Sequence, residues 1–356
     1  MKAHNNTLID AIQGYPITHT PIWMMRQAGR YLPEYMKIRE EVGSFMGMCT
    51  RPDIAAEITL QPLRRFPLDA VIIFSDILTV PDAMGLGLYF EENQGPLFKH
   101  PIRTERDIKQ LEFDSPLSME KLSYVMEAIK ETKKRLEGAV PLIGFCGSPF
   151  TLACYMIEGS GSKRFIQTRR MMYSRPDLLH RLLSVLSQAL ISYLVGQVRA
   201  GASVLQIFDT WGGILSTPSF KTFSLAYTQE VMEGVRKALG ESAPPIICFT
   251  KDAPLAWYKL YKESGASVIG VDWRHELSSV AEALPRMPLQ GNSDPFLLLG
   301  DPEAIRARAR EILDQVPADT PHIFNLGHGI DRETPVEHVA ALVDEVRRYS
   351  SGKKQQ

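Results

Sequence analysis

An α/β protein is what this chain of 356 residues predicts, and within that class a single (β/α)8 barrel of the TIM type with a deep cleft at the C-terminal ends of its strands. Three observations point there. Short apolar runs alternate along the chain with longer amphipathic stretches, the pattern of βα units around a parallel sheet. Eight such runs occur. Nearly every run ends on a polar residue or a glycine, as expected where barrel strands enter the functional loops. An open doubly wound sheet is the alternative that the same alternation allows.

The runs occupy residues 22–25, 70–74, 142–145, 203–208, 246–249, 267–271, 287–290 and 322–326. Just past them stand Arg26, Asp76, Gly147-Ser148, Asp209-Thr210, Thr250-Lys251, Asp272, Gly291-Asn292 and Gly327-His328. The helices between carry start signals: an early proline, in most cases after a capping hydroxyl or acid. Thr50-Arg51-Pro52-Asp53, Ser148-Pro149, Arg175-Pro176-Asp177, Ser216-Thr217-Pro218, Asp301-Pro302-Glu303 and Thr334-Pro335 each open one. The helix from Arg175 runs to 199 and stops before Gly201. Between the second and third runs lies an oversized insertion, in which 85–90 and 96–101 predict a hairpin over the barrel mouth. Residues 1–349 read as one barrel domain, and 350–356, SSGKKQQ, as a polar, frayed tail.

Composition narrows function. A formal net charge of −1 leaves no global basic field, so nucleic acid is not an expected partner and any anion specificity must be local. The N-terminal MKAHNNTLIDAI lacks an apolar core of signal-peptide type. The longest apolar stretch, 182–198, is interrupted by Ser184, Ser187, Gln188 and Ser192 and reads as a buried helix, not a membrane span. Four scattered cysteines without a CxxC predict a reduced, cytoplasmic setting. No Walker loop, complete GxGxxG, HExxH, GxSxG or EF-hand loop is present.

The sharpest local feature is WMMRQAGRYLPEY at 23–35, where Arg26 and Arg30 flank Gly29. Two guanidiniums this close form a fork for carboxylates or phosphates. The plain alternative is a surface pair with Arg30 bonded to Glu34. Asp76 follows the apolar AVIIFS and is either a helix cap or a carboxylate at the barrel mouth. Tyr155 shares a helical face with Ser148, Thr151 and Gly159, as a core residue or a substrate ligand. Thr210 is a turn hydroxyl or a contact. His328, between Gly327 and Gly329, sits where a ligand can approach the backbone closely.

Together these residues amount to a set. Residues 21–35, PIWMMRQAGRYLPEY, resemble the N-terminal signature of the uroporphyrinogen decarboxylases, and 144–158, GFCGSPFTLACYMIE, is similar to that family's second signature. FSDIL at 74–78, QIFDTWGG at 206–213 and NLGHGI at 325–330 match in order, so the resemblance covers 8–349. It implies a (β/α)8 barrel, a homodimer, and conversion of uroporphyrinogen III to coproporphyrinogen III with release of four CO2, without cofactor or metal. It also implies a substrate-binding block of Arg26, Gln27, Ala28, Gly29 and Arg30, completed by Asp76, Tyr155, Thr210 and His328. Asp76, Arg26 and Arg30 are the expected catalytic groups. Family members carry serine or threonine at the position of Thr210.

The chemistry accords with that resemblance. Loss of CO2 from a methylene on a pyrrole leaves an electron pair that needs a sink. Protonating the adjacent ring carbon makes an iminium-like cation, so the substrate supplies the sink that a cofactor otherwise would. Two competing functions meet obstacles. Related cobamide-dependent methyltransferases hold zinc through histidine and cysteine, but no cysteine follows Cys248 and no His-x-Cys occurs. A non-catalytic tetrapyrrole carrier would not need Asp76 among the side chains facing an anionic ligand.

Overall fold

The computed structural model describes residues 5–91, 95–111 and 119–354. Its centre is a curled parallel sheet of seven strands: β1 (Val71–Ile72), β4 (Leu142–Gly147), β5 (Val204–Asp209), β6 (Ile246–Thr250), β7 (Val268–Gly270), β8 (Leu289–Gln290) and β9 (His322–Ile323), in that order. The insertion forms the predicted hairpin, β2 (Leu88–Glu91) with β3 (Gly95–Phe98), antiparallel. It is anchored on a helix end, where Phe98 N–H donates to Gly159 O at 2.8 Å.

The first predicted strand, 22–25, departs from expectation. It reduces to a single parallel bridge between Ile22 and Phe324. The reason is local. Met24 N–H donates to Gln27 Oε1 and Met25 N–H to Asn325 Oδ1, both at 3.0 Å, so these amides leave the ladder, and the backbone then turns left-handed at Arg26. The segment still touches both sheet edges: Phe324 N–H donates to Pro21 O at 2.8 Å and Asp69 N–H to Ile22 O at 2.9 Å.

Pleating divides the strand residues between two cores. Ile143, Val204, Ile247, Val268 and Ile323 share one cluster with Trp23 and Met25, and Leu8, Ile9 and Ile12 of helix Thr7–Gln13 pack against it. Among these apolar groups a polar chain runs from Trp23 Nε1–H to Gln290 Oε1 (2.9 Å), then from Gln290 Nε2–H to Gln206 Oε1 (3.2 Å). The opposite face of the sheet packs on the helices. Helix Pro176–Ala200 is long and apolar enough to cross a membrane, but 61% of its most apolar window is buried against neighbouring elements. It contacts β4 and helices Pro149–Glu158 and Ala226–Leu239.

Most predicted helix starts recur. Ser148 Oγ accepts from Thr151 N–H at 3.1 Å and Asp301 Oδ1 from Glu303 N–H at 2.8 Å. Thr50 does not cap Pro52–Arg65; its hydroxyl donates back to Met46 O at 2.9 Å, ending the preceding helix instead. The tail also differs from expectation, because helix Val336–Lys354 continues past Tyr349. Ser350 is buried and its Oγ accepts from Thr20 N–H at 2.9 Å, which ties the helix end to the N-terminal segment.

Asp69 joins these ends. Its carboxylate accepts from Asn5 Nδ2 (2.8 Å), Ile22 N–H (2.9 Å) and Arg347 Nη1 (2.8 Å), and His19 Nε2 lies 2.9 Å away. Burial alone would raise this carboxyl, but the His19 contact, the Arg347 charge and the Asn5 bond outweigh it and hold it below the ordinary range. A depressed carboxyl contributes stability above its unfolded pKa and loses it as pH falls through the folded pKa. Asp69→Asn should therefore cost about 2–3 kcal/mol at neutral pH, with the deficit shrinking in acid below the ordinary aspartate range. Urea denaturation across pH checks this, and a deficit independent of pH would contradict it.

Candidate active site

Arg26 stands on a loop held from both sides. Asn325 Oδ1 accepts from Met25 N–H and, at 2.7 Å, from Leu326 N–H, while Ile330 N–H donates to Met25 O at 3.0 Å. The loop of Arg26 is thereby fixed to the loop of His328. Arg26 has φ 60°, a conformation that a non-glycine residue adopts at a cost and that tertiary contacts must hold. Gly329 leaves room for the Arg26 side chain; a Cβ there would overlap it.

Gln27, expected to bind substrate, is fully buried. Its Oε1 accepts from Met24 N–H, its Nε2 donates to Ala70 O at 3.2 Å, and its carbonyl accepts from Tyr31 OH at 2.8 Å. Its side chain braces the loop. Ala28 and Gly29 are half-buried, and Arg26 and Arg30 are exposed. Among the described residues neither arginine has an ion-pair partner. Glu34, the alternative partner of Arg30, instead takes Arg65 through two bonds of 2.6 and 2.7 Å.

Asp76 follows β1 on a turn in which its Oδ1 accepts from Leu78 N–H at 2.7 Å. Burial pushes its carboxyl up; the Leu78 N–H and the Arg26 charge offset part of that rise. The field of Arg26 reaches Asp76, whereas that of Arg30 falls on Tyr35. Tyr155, on helix Pro149–Glu158, has its phenol pushed up by burial; the Trp211 indole and Arg26 act against the rise and Asp76 adds to it. The Tyr155 and Trp211 rings lie 6.0 Å apart.

His328 is half-buried, with its ring 6.1 Å from that of Trp273. Burial, then the charges of Arg26 and Lys251, bring its pKa down to about 4, so it is a neutral imidazole at pH 7. Such a ring offers one N–H and one acceptor. Thr210 is half-buried beside Trp211, and its hydroxyl has no hydrogen-bond partner among the described residues. Arg26 therefore acts on Asp76, Tyr155 and His328 alike, which come from three separate parts of the chain.

A family model described as uroporphyrinogen decarboxylase (URO-D) matches residues 3–349. The chain belongs to the uroporphyrinogen decarboxylase family. The uroporphyrinogen decarboxylase of Neisseria meningitidis serogroup B is 50% identical over 347 residues, 97% of each chain. That of Dechloromonas aromatica is 48% identical over 351 residues, 98% of each. A methyltransferase structure from Methanosarcina mazei, 23% identical, superposes with a TM-score of 0.82 over 98% of this chain and 99% of its own, a likeness of fold. As a uroporphyrinogen decarboxylase, the protein is a carboxy-lyase that takes the four acetate carboxylates from uroporphyrinogen III, giving coproporphyrinogen III and four CO2.

Asp209 and Ser148, which the chain order places at the rim of this decarboxylase, serve as bracing instead. Asp209 Oδ1 accepts from Ser148 Oγ (2.7 Å), Thr151 Oγ1 (2.9 Å) and Gly212 N–H (3.1 Å), and Oδ2 from Ser224 Oγ (2.6 Å). Ser148 and Thr151 thus spend their hydroxyls on the frame, although they share a helix with Tyr155. Asn325, which joins the Arg26 and His328 loops, and Trp211, beside Tyr155, are neighbours of the candidate residues that reasoning residue by residue misses. Both lie inside the matching segments NLGHGI and QIFDTWGG, the one signal in the chain that could have found them.

Proposed function

We propose that Arg26, Asp76, Tyr155 and His328, with Arg30, Thr210 and the backbone of Ala28 and Gly29, line one cleft in which the decarboxylation occurs. The single observation that carries this reading is the packing of the Arg26 side chain against Gly329, beside His328, from where its charge also acts on Asp76 and Tyr155. The cleft belongs to an eight-stranded barrel in which segment 21–23 is the eighth stave, a reading supported by its bonds to both sheet edges. The barrel forms a single domain that works as a cytoplasmic homodimer, without nucleic-acid or membrane partners.

Uroporphyrinogen carries eight carboxylates on four pyrroles. Arg26 and Arg30, with no carboxylate partner among the described residues, hold acetate and propionate groups. Tyr155 OH and the neutral His328 N–H donate to further carboxylates. Asp76 accepts hydrogen bonds from pyrrole N–H groups. A proton added to the ring carbon beside the acetate-bearing carbon makes the pyrrole cationic, and Asp76 stabilises that charge. The bond to the carboxylate then breaks, and its electron pair flows into the ring and cancels the cation. Protonation of the exocyclic methylene gives the methyl group, and loss of the ring-carbon proton restores the pyrrole. Each cycle exchanges one CO2 for one proton.

Arg26→Lys tests the clamp. A point charge cannot reproduce a bidentate fork, so kcat/KM should fall by roughly ten- to hundred-fold, the equivalent of a charge-assisted contact of ~1.5–3 kcal/mol. Chromatography of the oxidised hepta-, hexa- and pentacarboxylate products, alongside CO2 release, gives the rate. Unchanged kcat/KM would remove Arg26 from the site.

A further inference from the structure

Resting on the cleft just described, we infer that Lys251 is a further substrate-recognition residue, which binds a carboxylate of the macrocycle on the side opposite Arg26 and Arg30. Both arginines come from one loop, so both stand on one arc of the rim. The substrate bears an acetate and a propionate on each of its four rings, and its charges face every direction. A clamp on one arc alone leaves half of them uncompensated.

Strand order says which residue can answer. With segment 21–23 between β9 and β1, the sequence around the rim is 21–23, β1, β4, β5, β6, β7, β8, β9. β6 is four places from the arginine loop in either direction, and the residue immediately after it is Lys251. Its backbone N–H donates to Asp209 O at 3.0 Å, which fixes its start. Its ammonium lies 5.6 Å from the Trp211 ring centroid, and the Tyr155 ring lies 6.0 Å from that same indole.

The ammonium is also under-bonded. Among the described residues its ion-pair partner is Asp252, through Oδ2 at 3.4 Å, and Asp252 is already bound by Arg274, which takes Asp272 as well at 2.9 Å. A lysine offers three donors. Burial and the Arg274 charge both act against its protonated form, with Asp272 acting the other way, so an arriving carboxylate would meet a cation short of partners. The charges of Lys251 and Arg26 both act on His328, so both cations lie within reach of that imidazole.

The test is steady-state kinetics of the full-length enzyme with uroporphyrinogen III for Lys251→Met, Lys251→Arg and Arg26→Met, over a range of salt. Lys251→Met should raise KM by roughly ten-fold or more with kcat within about three-fold, and should flatten the salt dependence of kcat/KM. Lys251→Arg should recover most of the loss. A folded Lys251→Met, judged by thermal melting, with wild-type KM and salt dependence overturns the inference. So does a Lys251→Arg variant as impaired as Lys251→Met, since that makes shape and not charge the requirement. If Lys251→Met does not fold, Lys251→Gln takes its place and is read by the same criteria. Silence of Arg26→Met as well would overturn the cleft itself; silence of the Lys251 variants alone overturns only this step.

Discussion

Asp76→Asn is expected to lower kcat by about 10²–10³, with KM for uroporphyrinogen changed by only a few-fold. The two side chains have the same shape, and the asparagine oxygen can still accept from Leu78 N–H, so the turn after β1 survives. What disappears is the negative charge. In the proposed reaction the cation it faces exists only after the pyrrole carbon is protonated, so the larger part of the lost interaction belongs to the transition state, and the weaker pyrrole N–H contact of the bound substrate accounts for the few-fold change in KM. The pH profile gives an independent check. Burial raises the Asp76 carboxyl above its ordinary value of 3.8. As pH falls, the carboxylate is therefore neutralised earlier than an exposed aspartate would be. The acid limb of kcat/KM should lie on the high side of the ordinary range in the wild type and lose that contribution in the variant. Full turnover by Asp76→Asn would end the electrostatic role.

Asp209→Ala is expected to cost about 3–5 kcal/mol of stability, the largest single loss foreseen for this chain. The carboxylate is only 2% exposed and accepts four hydrogen bonds. Removing it leaves three buried hydroxyls and the Gly212 amide without their acceptor, and unsatisfied buried donors carry a full desolvation cost. Those donors come from the end of β4, helix Pro149–Glu158, the turn after β5 and the segment around Ser224, so one deletion loosens four pieces of the site's support. Gly212→Ala should fail in the same way by a different route, because its Cβ would overlap the Asp209 carboxylate. Chemical denaturation at neutral pH measures both. An Asp209→Ala protein as stable as the wild type would show that the carboxylate only tolerates its burial.

The division between Asp76 and Asp209 could not be read from the chain. Each follows an apolar strand run, and each has turn-forming neighbours. Asp76 has one backbone donor and the field of an arginine; Asp209 is buried and has four donors. Gln27 is a similar case. It sits in the middle of the arginine motif, yet its side chain is consumed by Met24 and Ala70. Arg30 and Glu34 have helical spacing, and Glu34 nevertheless pairs with Arg65, 31 residues away.

Order along the chain was enough for the alternation of strands and helices, for the insertion's hairpin, for most helix starts and for the family, because each depends on neighbours within a few turns or on contiguous motifs. Folding alone settled which polar groups are spent on bracing the frame. The partners involved are 58 residues apart for Thr151 with Asp209 and 300 for Met25 with Asn325. No local periodicity encodes such pairings; they arise when strands distant in the chain close around a shared interior and each buried polar atom takes the partner that packing places within reach.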